Sequence, residues 1–390
     1  MIADDFTGAL DTGVKMSSHG ARVRVVPYTA PEAHAETDVL VIDAETRHLT
    51  AEEAYRRVAA LCETFRTAPC FYLKTDSALR GRIGISMKAA MDTLGLNRAA
   101  FAPAYPAMNR VTRGGCQLID GQTLRSSSFA ADVLNPVAAD SIGELLAEAG
   151  LATLGASAAC PPPDTPGRAV VVYDAETDDD LAAIARSLRE TDALRLTAGC
   201  AGFAEALAPV LGFSLPRQAA AFRPERLMVV CGSLNRVTRE QVDGSRALGF
   251  AQMTFNATLT VEDEAWFSQA RSLMAQGRNM VIVTSDEGPA DSDFQERSRM
   301  LQRCGGQALL RMLAMPEMEG YTVMIIGGDT LMGFMREAGF PEITIREEVI
   351  PGVVCFTMTI SGRERPFLSK SGGFGRDTLF AEILKESGND

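Results

Sequence analysis

Two acidic residues stand side by side near the amino terminus, in Ala3-Asp4-Asp5-Phe6-Thr7-Gly8, directly ahead of a helical pattern from Ala9 to Ser18. At the carboxyl end of a strand in an open α/β sheet, such acids face the crevice where ligands bind and could accept hydrogen bonds from substrate hydroxyls. A helix cap is the plainer reading, but one cap explains one acid and not both. A second group, Lys74-Thr75-Asp76-Ser77-Ala78-Leu79-Arg80-Gly81, follows the apolar run Phe71-Tyr72-Leu73 and gathers two cations, an acid and two hydroxyls. It suits a small, oxygen-rich anion; ordinary surface charges in a solvated loop are the alternative. Arg47, just past another apolar run, offers a planar fork for a carboxylate. Three glycine turns follow in the second half: Cys231-Gly232-Ser233-Leu234-Asn235, Gly327-Gly328-Asp329-Thr330 and Lys370-Ser371-Gly372-Gly373-Phe374-Gly375. The first two are expected between a strand and a helix, where backbone N–H groups could cradle phosphates, although each alone also reads as a plain turn. Neither the P-loop pattern nor G-x-G-x-x-G occurs.

The elements that must position these residues alternate between Val/Ile-rich runs and longer segments of helical period, the pattern of an α/β protein with parallel sheets. Strands are expected at Arg22 to Pro27, Val39 to Asp43, Phe71 to Lys74, Ala99 to Ala102 and Ala169 to Tyr173. In the second half they are expected at Leu227 to Cys231, Gln252 to Phe255, Met280 to Thr284 and Val323 to Ile326. A helix from Ala51 to about Phe65 opens on a capping box, Thr50-Ala51-Glu52-Glu53, and another is expected over Ala201 to Leu211. Late in the chain, Val353 to Ile360 and Phe367 to Lys370, separated by residues 361–365, suggest a hairpin. The proline-rich segment 160–167 is a loop, and the stretch from Leu215 to Pro224 marks a junction near residue 220. Length agrees: 390 residues call for about two or three domains. The expectation is two domains, 1–220 and 221–390, each a mainly parallel sheet flanked by helices, with a cleft between them.

Composition narrows the function. With 38 basic and 50 acidic residues the formal charge is −12, and no Lys/Arg run could track a nucleic-acid backbone. No apolar stretch reaches the ~18 residues of a membrane span, and the start MIADDFTG lacks the regions of a signal peptide; a cytoplasmic protein without a membrane partner is expected. The eight cysteines are scattered without a C-x-x-C pair and read as small buried residues of a reducing compartment. His19, His34 and His48 lack metal-ligand spacing, which argues against a histidine zinc site and a Ser-His-Asp triad; no protein metal site is expected.

At these residues the chain resembles the four-carbon acid sugar kinases. The likeness runs through IADDFTGALD, the ETR turn, LKTDSALRG, FAPAYP with Asn109-Arg110, DGQTL, VVVYDAETDDDL, AGCAGFAEAL, VVCGSLNRVTREQ, IIGGDT, ITIREEVIPGV and KSGGFG. The resemblance implies an N-terminal domain that binds the acid sugar and a C-terminal domain that binds ATP, with Mg²⁺ bridging phosphate oxygens. Carried over by motif, the substrate side comprises Asp4, Arg47 and the loop Lys74, Thr75, Asp76 and Ser77, to which the residue types alone add Asp5 and Arg80; the nucleotide side comprises Ser233, Gly327, Gly328, Asp329, Thr330, Gly372 and Gly373. Arg47 and Lys74 would hold the sugar carboxylate, Asp4 or Asp5 its hydroxyls, and Asp76 or Asp329 would act as base. A small sugar acid is the expected partner, and a homo-oligomer is possible.

Three departures qualify the likeness. Only Met1, Ile2 and Ala3 precede the DDFTG motif, where relatives carry a complete strand, so a stub and a poorly anchored Asp4–Gly8 loop are expected. Asn109 takes a glycine's place, and a GSAGL-like segment reads Gly199-Cys200-Ala201-Gly202-Phe203. Two rival functions stay open at this point: a nicotinamide-dependent dehydrogenase, weakened by the missing dinucleotide fingerprint, and a non-catalytic sugar-acid and nucleotide sensor or inactive relative.

Overall fold

The computed structural model describes residues 1–31, 36–127, 139–163, 166–214, 222–233, 235–285 and 294–384. The chain divides into two compact units, Met1–Arg217 and Gln218–Asp390. The junction expected near residue 220, and His34, lie outside the described residues.

In the first unit, β1 (Ile2–Ala3), β2 (Val23–Pro27), β3 (Val39–Asp43), β4 (Phe71–Lys74) and β5 (Arg98–Ala102) precede a small antiparallel meander of β6 (Arg110–Arg113), β7 (Cys116–Ile119) and β8 (Gln122–Thr123). They are followed by β9 (Thr153–Ser157), β10 (Ala169–Asp174) and β11 (Leu196–Gly199). The main sheet runs β2-β3-β1-β4-β11-β5-β10-β9, with every pairing parallel. Helices cover both faces, as a fully parallel sheet demands. On one face α2 (Ala51–Thr64), α3 (Ile83–Leu94) and α4 (Ile142–Ala147) supply Val58, Leu61, Met87, Ala90, Ile142 and Leu146 to one core. On the other, α1 (Phe6–Ser18), α5 (Asp178–Glu190) and α6 (Ala201–Val210) supply Met16, Leu181, Ile184, Phe203 and Leu207 to a second. The capping box expected at Thr50 forms, with Glu53 reaching back to the Thr50 N–H at 3.1 Å.

The second unit contains β12 (Arg226–Cys231), β13 (Ala251–Phe255), β14 (Met280–Thr284), β15 (Tyr321–Ile326), β16 (Ile343–Ile350), β17 (Val353–Ile360) and β18 (Arg363–Lys370). Their order is β13-β14-β12-β15-β18-β17-β16. Pairings are parallel as far as β18 and antiparallel from there. One face carries α7 (Arg236–Ser245) and α11 (Leu379–Leu384), whose Val242, Leu379, Phe380 and Ile383 join Leu227, Val229 and Met324. The remaining helices are α8 (Glu264–Ala275), α9 (Phe294–Leu313) and α10 (Gly328–Glu337).

Several expectations are corrected. The first strand is a stub of two residues, yet it is interior: Ala3 pairs with Asp43 on one side and Lys74 on the other. Beyond it the Asp4 carbonyl accepts from the N–H groups of Thr46 at 3.0 Å and Arg47 at 3.2 Å. The Asp4–Gly8 loop is therefore anchored by two neighbouring strands as well as its helix, and α1 begins at Phe6, not Ala9. The late hairpin turns over Ser361-Gly362 alone, both at positive φ (51° and 77°), the geometry of a two-residue I′ turn, so β18 starts at Arg363. Asn109 has φ 53° and ψ 36°, the left-handed conformation that asparagine tolerates best among side-chain-bearing residues, so it meets the backbone need of the glycine it replaces. The cysteines form no disulfide, but only Cys62, Cys200, Cys231 and Cys355 are buried, and Cys160 is exposed.

Candidate functional site

In the first unit the chain order reverses direction between β1 and β4, since β3 lies on one side of β1 and β4 on the other. Ligands of open α/β sheets bind at such switch points, beyond the carboxyl ends of the strands. Three expected groups emerge there together, because Ala3, Asp43 and Lys74 are level across the sheet. The sequence shows each group and not this register.

Asp5 is the N-cap of α1, its Oδ1 accepting from the Gly8 N–H at 3.0 Å. Its other oxygen accepts from Arg47 Nη1 at 2.7 Å, while Arg47 Nε donates to Asp4 Oδ2 at 2.8 Å. The Arg47 fork thus grips both acids, and its Nη2 stands 3.8 Å from Asp76. Burial works against the Arg47 charge, but Asp4, Asp5 and Asp76 hold it well above the ordinary arginine value. Asp76 is gripped on its own account by Arg80, through Nε at 2.8 Å and Nη2 at 3.0 Å. Burial opposes ionisation there too, yet Arg80 foremost, then Arg47 and Lys74, hold Asp76 well below the usual carboxylate range. Asp4 goes the other way: burial raises it despite Arg47, and the Asp5 charge adds to the rise. Its Oδ1 is buried without a protein partner among the described residues, as is Thr75 Oγ1. Both residues line a cavity of about 20 Å³ with Thr46, Lys74 and Ser86, the space of a single water.

Lys74 reaches the same place from β4. A Cβ at position 8 would lie 2.7 Å from Lys74 Nζ and 2.5 Å from Asp5 Oδ1, so only glycine lets the ammonium and the carboxylate approach the start of α1. Gly81 is constrained chiefly by its backbone, at φ +92°, and a Cβ there would also sit tight against Asp4 Oδ2 at 3.3 Å. Ser77 accepts at Oγ from buried Arg110, and Gln117 Nε2 donates to its carbonyl at 3.0 Å. Arg110 and Gln117 belong to the β6–β8 meander, which sequence patterning missed; the signal for Arg110 was its place directly after Asn109, shortly beyond FAPAYP.

The second unit repeats the principle. Cys231, Ile326 and Lys370 are level across β12, β15 and β18, so the three glycine turns leave adjacent strands side by side, and the chain order again reverses between β12 and β15. The Gly232 N–H donates to Ile326 O at 3.2 Å and the Gly327 N–H to Lys370 O at 3.2 Å. These two donors stitch one turn to the next and are not left for a ligand. The remaining space is narrow: a Cβ on Gly232 would overlap the Thr330 hydroxyl, and one on Gly372 would overlap Ser233 Oγ. Gly328, Asp329 and Thr330 form the first turn of α10, whose N–H groups have no partner inside the helix. Asp329 is exposed, and an acid there also suits the helix dipole.

A family described as the sugar-binding N-terminal domain matches residues 1–207, and one described as the nucleotide-binding C-terminal domain matches residues 228–380. A D-threonate kinase of Salmonella typhimurium is 32% identical, over 98% of this chain and 97% of its own. The chain belongs to the four-carbon acid sugar kinase family. A D-erythronate kinase of Heliobacterium modesticaldum is 31% identical, covering 99% of this chain and 98% of its own. Among solved structures, a Haemophilus influenzae protein (TM-score 0.69, 20% identity, 98% of both chains) and a Salmonella typhimurium protein described as a tRNA synthase (TM-score 0.76, 21% identity, 98% of both chains) share the fold. No described helix is long and apolar enough to cross a membrane.

Proposed function

We propose that this protein is an ATP-dependent kinase that phosphorylates the terminal hydroxyl of a four-carbon sugar acid of the threonate, erythronate or oxo-tetronate type. The observation that carries the reading is the double convergence: a charged cluster at the switch point of the first unit, and three glycine turns leaving adjacent strands of the second. The cluster supplies a cation, Lys74, for one carboxylate and acids for several hydroxyls; the turns supply small residues and a helix N-terminus for phosphates. The two compact units correspond to acid-sugar-binding and nucleotide-binding domains.

Within the cluster the roles differ from those expected at first. Arg47 is engaged by Asp4 and Asp5, so we assign it to holding those acids in place, and the sugar carboxylate to Lys74. A general base must be ionised yet retain affinity for a proton near working pH. Asp76, gripped by two arginines, is too weak a base; Asp4, raised by burial and with one oxygen unpaired, is the better one. Asp329 is left to the nucleotide side. There Gly328, Thr330, Gly372, Gly373 and Ser233 fit a polyphosphate, with no bulky side chain among them. No group of three His, Cys, Asp or Glu side chains able to hold a metal occurs among the described residues. Mg²⁺ is commonly bound by substrate phosphates with one or two carboxylates, here Asp329; it would neutralise phosphate charge, and transfer otherwise depends on positioning.

The test is purified protein with ATP, Mg²⁺ and a panel of D-threonate, L-threonate, D-erythronate and 3-oxo-tetronates. ADP release that requires one of the acids is the expected result. Binding of both ligands without turnover would establish the sensor reading instead.

A further inference from the structure

Lys370 ends β18 directly beneath the third glycine turn, and it is 1% exposed. Its ammonium donates to the carbonyls of Phe374 at 2.9 Å and Ser371 at 3.1 Å and to Thr238 Oγ1 at 3.2 Å, and the Gly372 carbonyl also faces it at 3.5 Å. The Thr238 hydroxyl in turn donates to the Gly372 carbonyl at 2.6 Å. One turn further along α7, Gln241 Nε2 donates to the carbonyls of Phe374 at 3.1 Å and Arg376 at 2.9 Å. The Lys370 carbonyl accepts from Gly327, the hinge of the second turn. A lysine this deep costs desolvation, and burial pulls it down to about 7. A methionine would fill the same space without that cost, but would leave a set of inward-facing carbonyls unsatisfied.

Peptide planarity gives this arrangement a direction. In a trans peptide the C=O and the following N–H point opposite ways. Drawing the Ser371 and Gly372 carbonyls down to Lys370 turns the N–H groups of Gly372 and Gly373 up, away from the ammonium. Neither of these N–H groups makes a hydrogen bond among the described residues. Successive outward N–H groups form an anion-binding concavity, here beside Ser233.

We propose that Lys370 is a positioning residue for nucleotide binding: it gathers the carbonyls of the Ser371–Phe374 turn, with Thr238 as its relay, so that the Gly372 and Gly373 N–H groups face the phosphates. The proposal rests on the reading of the second unit as the nucleotide site. It is tested on the full chain by calorimetric titration with Mg²⁺ and ADP, and by steady-state kinetics in both substrates. Lys370→Met is expected to raise the ADP Kd and the ATP KM by about tenfold or more, the scale of lost charge-assisted hydrogen bonds. Sugar-acid KM should stay within about twofold, a split that general loosening of the fold would not produce. Thr238→Val, a milder change, should raise the same two constants by roughly threefold to tenfold, and it carries the test if Lys370→Met does not fold. Gly372→Val serves as the control for the site and should abolish ADP binding. Should Gly372→Val lose ADP while folded Lys370→Met or Thr238→Val binds it like the wild type, the lysine's role is refuted and the nucleotide site stands. If the wild type does not bind ADP, the site reading fails and the proposal with it.

Discussion

Asp4 and Asp76 share the guanidinium of Arg47 and are both almost fully buried, yet they are pushed in opposite directions. The difference is the second arginine. Arg80 closes on Asp76 with two bonds, whereas the one arginine that bonds Asp4 among the described residues is shared with Asp5. Asp4→Asn is therefore expected to lower kcat by about 10²-fold or more while ATP KM is unchanged. The wild-type acid limb should lie above the ordinary aspartate value of about 3.9, because activity is lost as falling pH protonates a base whose pKa is raised. Full activity in Asp4→Asn would remove Asp4 as the base. Arg80→Met should instead act on stability, since it strips a buried carboxylate of its main partner at a cost of about 3 kcal/mol, read from urea unfolding. The residue types of this cluster were legible in the sequence. Their pairing was not: that Arg47 would clasp Asp4 and Asp5 depends on which strands lie beside β1, and nothing local to any of the three segments states it.

At the scale of elements, register does the work that sequence motifs suggest but cannot complete. The turn after β12 meets those after β15 and β18 only because Cys231, Ile326 and Lys370 are level. A Cβ on Gly232 would overlap the Thr330 hydroxyl, so Gly232→Ala should force Thr330 aside and raise ATP KM by about tenfold, with sugar-acid KM unchanged; parity with the wild type in both constants would show that the turns can separate without loss. Elements with strong local signals, such as the capped helix at Thr50 and the Val/Ile-rich interior strands, could be read directly from the chain. Those missed were short or mixed in character: β11 is only Leu196–Gly199 and merges with the helical pattern after it, and β16 carries Arg346, Glu347 and Glu348 within its span. The two-residue β1 has no periodicity to read. Its anchorage comes from neighbours on both sides, which is why a loop expected to fray is held.

At the scale of the whole molecule, the alternation of strands and helices made two α/β halves legible, because each half must bury both faces of a mainly parallel sheet. What the chain could not show is the internal cost of its sites, and Lys370 makes that cost measurable. Its value falls from the ordinary 10.5 to about 7 in the folded protein. Between those values the unfolded chain holds the extra proton, so the lysine's contribution to stability rises with pH, by up to about 1.4 kcal/mol per unit. Below about 7 both states are charged and the burial penalty is present in full. Cys355, its thiol pushed up to about 12 by burial, works in the opposite sense once unfolded thiols ionise near 9. The informative window is therefore pH 7 to 8.5. Across it the urea midpoint of the wild type should rise further than that of Lys370→Met, whose neutral side chain has no proton to lose. Equal shifts in the two proteins would mean that Lys370 keeps its full charge in the fold and that its partners, rather than burial, set its pKa.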